Sequence, residues 1–149
     1  MSDSMSPLRW AVKESFIDYI RGLEDGTIET FDGCEAVDGG FVFPGVSEAD
    51  GELLFTGGVR FTGFSGMLDV RLVDPMIEGD GPDKTLSALV GVPSIAARVA
   101  IATIEGAEQR NAGQQWTATP RITFEGVRIF GDVYQVGTDL APLVVDREQ

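Results

Sequence analysis

The sequence predicts a mainly β domain of the α+β kind: an antiparallel sheet or sandwich, with an amphipathic helix near the N-terminus and a short helix near the C-terminus. Three observations carry this. Short apolar runs with period-two alternation follow one another along the chain, and the 19 glycines mostly fall between them. One stretch, Ser6 to Gly22, instead repeats its apolar residues at spacings of three and four. A second stretch, Ile122 to Val136, can do the same over a shorter span. With 149 residues the chain is the size of one domain, 1–149.

The first element reads as a helix from Ser6 to Gly22. Ser6 can cap it, Pro7 suits the first helical position, and Gly22 can close it in the left-handed conformation. Leu8, Val12, Phe16, Tyr19, Ile20 and Leu23 form its apolar stripe. Ala11, Ser15 and Tyr19, four residues apart, stack on one face and leave a shallow slot with a phenol at its end. A flat ligand fits such a slot. By spacing alone, the commoner reading of Tyr19 is an amphipathic aromatic at the edge of the core.

Strands then follow in order. Thr27 to Phe31 alternates, Asp32-Gly33 is a hairpin-turn pair, and Cys34 to Val37 returns. Asp38-Gly39-Gly40 turns into Phe41 to Phe43, which Pro44 ends, leaving Val46 to Gly51 as a loop. Glu52 to Thr62 reads as one long strand, bent at Gly57-Gly58. Phe64-Ser65-Gly66 is a turn. Met67 to Val73 is the next strand, stopped by Asp74-Pro75, with Met76 to Glu78 a short continuation and Gly79 to Asp83 a loop. Thr85 to Val92 and Arg98 to Glu105 form two more strands. Ala107 to Gln115 is a polar connection with turns at Asn111 and Gly113, and Trp116 to Arg121 is a last strand. A helix from Phe124 to Tyr134 and an extended tail from Thr138 to Val145 complete the chain.

Composition excludes several functions. A formal net charge of −13 repels nucleic acid and anionic membrane surfaces. No apolar run is long enough to span a bilayer. The single cysteine, Cys34, rules out an intramolecular disulfide. The start of the chain has no basic region followed by an apolar run, so the expectation is a cytoplasmic protein as written, or an exported one if a leader has been removed. The chain has no histidine, which removes Ser–His–Asp and Cys–His catalysis, His-based zinc sites and His-ligated haem. Gly63 to Met67 misses the nucleophile-elbow spacing, and Glu78, Asp80 and Asp83 fit no EF-hand loop. Catalysis is therefore not expected.

Four stretches carry a resemblance. Leu8 to Ile20 (LRWAVKESFIDYI) is similar to the opening helix of the HtaA-type haem-binding domain family. Val59 to Pro75 (VRFTGFSGMLDVRLVDP) resembles its central strand–turn–strand, and Phe130 to Pro142 (FGDVYQVGTDLAP) its closing segment. Gly39 to Phe43 (GGFVF) matches more loosely. The resemblance spans essentially the whole chain and implies an antiparallel β domain with two short helices. It also implies a non-enzymatic haem-binding module of bacterial iron acquisition, whose iron is held by a tyrosine of the first helix. That tyrosine matches Tyr19, with Ser15 beside it on the slot face. The aromatic that stacks on the porphyrin matches Phe130 or Tyr134. A pocket histidine that hydrogen-bonds the tyrosine matches Phe64, where this chain departs from the pattern. A phenol titrates near about 10, so Fe(III) itself must favour the deprotonated oxygen. Losing a partner of the ligand costs about 10–100-fold in metal affinity. The alternative expectation is a relative that has lost haem and binds another apolar ligand or a partner protein. Lys13 and Arg9 lie near the motif as candidate partners for the propionates, and a homodimer is compatible with the sequence.

Overall fold

The computed structural model describes residues 5–49, 51–79, 83–110 and 115–146. Asp80 and the expected turn residues Asn111 and Gly113 lie outside them. The described strands join in one antiparallel sheet: β1 (Met5–Trp10), β2 (Thr27–Phe31), β3 (Glu35–Val37), β4 (Gly40–Ala49), β5 (Glu52–Phe55), β6 (Gly58–Gly63), β7 (Leu68–Glu78), β8 (Lys84–Val90), β9 (Ala97–Ile104), β10 (Glu108–Arg110), β11 (Gln115–Ala118), β12 (Pro120–Ile122) and β13 (Leu143–Asp146). Two helices accompany it, α1 (Glu14–Arg21) and α2 (Phe124–Ile129). The strand order is β10-β11-β13-β1-β4-β5-β7-β8-β9-β12, with β3 on β4 and β2 on β6, which in turn pairs with β7. Among the described residues no helix is long and apolar enough to cross a membrane.

The expected first helix is corrected: its first half is a strand. Leu8 and Trp10 are buried while Pro7 and Arg9 are exposed, which is period-two alternation. β1 runs between β4 and β13, and the Trp10 indole donates to the Ala141 carbonyl at 2.9 Å. Two flanking strands and a buried tryptophan outweigh the 3.6-residue pattern that Leu8 and Val12 begin. Val12, at φ 64°, turns the chain, and its carbonyl accepts from Ala141 N at 2.8 Å. Lys13 then precedes the helix without a side-chain cap, and Gly22 closes it in the right-handed region rather than the left. The buried stripe of α1 is Phe16, Ile17 and Ile20.

Two prolines expected to end strands lie inside them. Pro44 sits where the β4 register shifts against β1, between Phe43 and Gly45, at an irregularity where a missing N–H is tolerated; the shift against β5 follows between Gly45 and Ser47. The strand runs on through Ala49 across the expected loop. Asp74 adopts φ 50° at a bulge between Val73 and Met76, and β7 continues to Glu78. Asp74 Oδ1 accepts from Gly57 N at 3.1 Å and from the Thr56 hydroxyl at 3.3 Å. This clamps the break between β5 and β6, the bend expected at Gly57-Gly58. Asp32 and Gly33 both take positive φ, as a hairpin pair does, but β2 pairs with β6 and β3 with β4.

Trp116 to Arg121 divides into β11 and β12, which pair with different strands. α2 is capped by Thr123, whose Oγ1 accepts from Gly126 N at 2.9 Å. It ends at Ile129, short of the expected Tyr134, because Gly131 (φ 84°) and Asp132 (φ 61°) turn the backbone left-handed. Gly126 is required: a Cβ there would stand 2.4 Å from the Ile101 carbonyl oxygen, so the helix lies directly on β9. α1 covers one face of the sheet, where the Phe16 ring meets Phe61 at 5.1 Å and Phe130 at 5.0 Å, both edge to face.

Candidate functional site

Helix periodicity turns Phe16 and Ile20 into the core and leaves Ser15 and Tyr19, four residues apart, on the outer flank. Tyr19 is 48% exposed. Its ring faces Phe64, also 48% exposed, at a centroid distance of 6.1 Å and an interplanar angle of 50°. Among the described residues its hydroxyl has no hydrogen-bond partner.

Phe64 is carried by a tight turn between β6 and β7. Phe64, Ser65 and Gly66 take φ of 52°, 55° and 89°, three left-handed residues in succession. For a phenylalanine this conformation is unfavourable and needs support. Asp25, in the segment after α1, gives it. Its carboxylate accepts from Phe64 N at 3.1 Å and from Ser65 N at 2.5 Å. The Ser65 N–H chiefly, then the Phe64 N–H, hold the Asp25 carboxyl below its ordinary titration range against the opposing effect of desolvation. Met67, directly after the turn, is 90% exposed.

The segment after α2 supplies the third wall. Phe130 is buried, with its ring against Phe16, so the expectation that it offers a stacking face is corrected. Tyr134 is half-buried and meets the Phe130 ring at 6.2 Å, edge to face. Its hydroxyl lies 3.3 Å from Ser15 Oγ. Lys13 ties this segment to α1: its Nζ donates to the Asp139 carbonyl at 2.7 Å and stands 5.8 Å over the Tyr134 ring. Ser15, Tyr19, Phe64 and Tyr134 thus come from three separate segments to one exposed surface. Ala11 does not join them. It is buried at the end of β1 and lines a cavity of about 510 Å3 on the other flank of α1, between Ile17, Arg21 and Phe41, so the slot of Ala11, Ser15 and Tyr19 does not form.

The sequence reading missed Asp25 as a support of the turn. Nothing local links it to Ser65, 40 residues away. The one available signal was the F-S-G triplet, a turn whose non-glycine residues need an anchor.

Comparison with known proteins places the chain in a family. The HtaA family model, described as Htaa, matches residues 6–146. The chain belongs to the HtaA family. The solved heme-binding protein HtaB of Corynebacterium glutamicum is similar at 25% identity and a TM-score of 0.78, over 96% of this chain and 92% of that one. The C-terminal domain of HtaA from the same organism gives 24% identity and 0.77, over 96% and 98%. Its N-terminal domain gives 20% and 0.74 over the full length of both chains. No curated protein matches the sequence. Over the described residues the matched segment forms one antiparallel sheet with two α-helices, the mainly β, α+β class that the sequence predicted.

Proposed function

We propose that this HtaA-family domain binds haem on the surface formed by Tyr19, Phe64 and Tyr134, with the Tyr19 phenolate as the iron ligand. The observation that carries the reading is the Tyr19 hydroxyl: it projects from α1 on a surface edged by Phe64, without an internal hydrogen bond among the described residues. A phenolate is a known axial donor to haem iron. The haem would supply the iron and the porphyrin plane, and the chain would supply the oxygen and the aromatic walls. Tyr134, half-buried and steadied by Ser15 and Lys13, is the ring placed to contact the porphyrin. Family membership and the similarity to HtaB, heme-binding by name, support the same reading. The role is read as binding rather than turnover, in line with the similarity to the heme-binding protein HtaB.

Phe64 favours a second reading. It offers no donor or acceptor at the position where the family resemblance expects a histidine, so the surface could serve another apolar ligand. Titration with hemin separates the two. Haem binding requires a saturable Soret shift that Tyr19→Phe removes while the thermal melt stays unchanged. An identical Soret band in Tyr19→Phe would rule out the phenolate, and no shift in the wild type would leave the second reading.

A further inference from the structure

The sheet face turned away from α1 holds a cavity that haem binding does not use. Val59, Phe61, Val70 and Leu72 point into the core, so their neighbours in β6 and β7 point outward. Strand registers arrange these outward residues in rows. Phe31, Gly58, Val73, Leu89 and Arg98 lie side by side across five strands, and Glu29, Arg60 and Arg71 form the next row. A Cβ on Gly58 would stand 2.5 Å from the Phe31 ring and 3.1 Å from Val73 Cγ2, so these apolar groups converge over the bare glycine. With Leu89 and Ala96 they line a trough of about 540 Å3, edged by Arg60 and Arg71. That volume is within the range of small-ligand sites.

The arginine edge is unusual. Arg60 and Arg71 are direct cross-strand partners, an arrangement of like charges that opposes pairing. They share one carboxylate. Asp69 takes Arg60 in a two-pronged contact, Nε to Oδ1 and Nη2 to Oδ2, both at 3.0 Å. Arg71 reaches Asp69 only through Nε, at 3.5 Å, and its Nη groups meet no acceptor among the described residues. Arg98, at the end of the apolar row, is committed to Ser87 Oγ at 3.1 Å and the Asp74 carbonyl at 3.0 Å. Glu29 and Asp32 are exposed at the rim and disfavour a multiply charged anion. A single carboxylate can pair with the open guanidinium edge, and an apolar chain can lie along the row beside it.

We propose that this trough is a binding site for an amphipathic monocarboxylate, with its apolar chain on Phe31, Val73 and Leu89 and its carboxylate on Arg71. The proposal is independent of haem binding. Calorimetric titration of the full chain with decanoate, below its micelle concentration, tests it alongside 1-decanol. Decanoate should bind at one site, with amide NMR shifts centred on Phe31, Arg71, Val73 and Leu89. Arg71→Met should weaken it by at least ~10-fold, the loss expected for a charge-assisted contact. Tyr19→Phe should leave it unchanged. Equal binding of 1-decanol, an unaltered affinity in a folded Arg71→Met, NMR shifts centred on Tyr19 and Phe64, or no heat would each overturn the proposal. The wild-type shift map decides the matter even if Arg71→Met fails to fold.

Discussion

Phe16 and Tyr19 are three residues apart on α1 and belong to two aromatic groups of different kinds. Around Phe16 the rings of Phe61, Phe130 and Phe41 are buried and meet edge to face, with interplanar angles of 75° to 81°. Around Tyr19 the partner is Phe64, tilted at 50° and open to solvent. The Phe130–Tyr134 contact joins the inner group to the outer surface. Closure by packing fixes ring geometry in the first group. In the second, geometry is held from outside the rings, by Asp25 on the turn and by Lys13 and Ser15 on the segment of Tyr134. A core needs no free edge, whereas a ligand surface needs rings that are oriented but not covered.

The largest effect expected from this contrast is on stability. Phe16→Ala leaves a cavity between the Phe61 and Phe130 rings and should cost about 3–5 kcal/mol. Urea denaturation checks it. A loss below about 1 kcal/mol would mean that the inner group is loosely packed and the contrast is false.

A smaller effect should appear at the outer group. Phe64→His places a donor and acceptor facing Tyr19, on a backbone at φ 52° that histidine tolerates better than most residues. Under the proposed Tyr19 ligation, gaining a partner for the phenolate should raise hemin affinity by about 10–100-fold. The measurement is the rate of hemin release to an apo-globin acceptor. An unchanged rate would place Phe64 outside the ligand's reach.

How far the sequence reveals these two groups follows from the range of the forces involved. Phe16 and Ile20 announce their burial by helical spacing, and the alternation of R-V-A-I-A-T-I-E announces β9. Leu8 fits both the helical stripe and strand alternation while Trp10 fits only the alternation, and pairing with β4 and β13 decides between them. Pro44 and Asp74-Pro75 look like strand ends because a bulge, which absorbs them, depends on the neighbouring strand. On the outer surface, the shared flank of Tyr19 and Ser15 is legible because both lie on one helix. Phe130 and Tyr134 differ by four residues, and which of them is buried depends on left-handed turns at Gly131 and Asp132. Asp25 is invisible because its partners are distant in sequence.

The finest test concerns that last residue and acid. A carboxyl whose folded value lies below its ordinary 3.8 contributes support that is complete above 3.8 and is lost as pH falls through the lower, folded value. Protonation weakens the acceptor for Phe64 N and Ser65 N, and three consecutive left-handed residues then lack their anchor. The inner rings contain no titrating group and should not respond. Amide shifts of Phe64 and Ser65 should therefore titrate together below pH 3.8, while those of Phe16 and Phe61 stay fixed. Asp25→Asn should abolish this titration and, under the proposed haem binding at Tyr19, speed hemin release at neutral pH. If the Phe61 amide moved with the turn, the two aromatic groups would be one cooperative unit, and the separation drawn between core and ligand surface would fail.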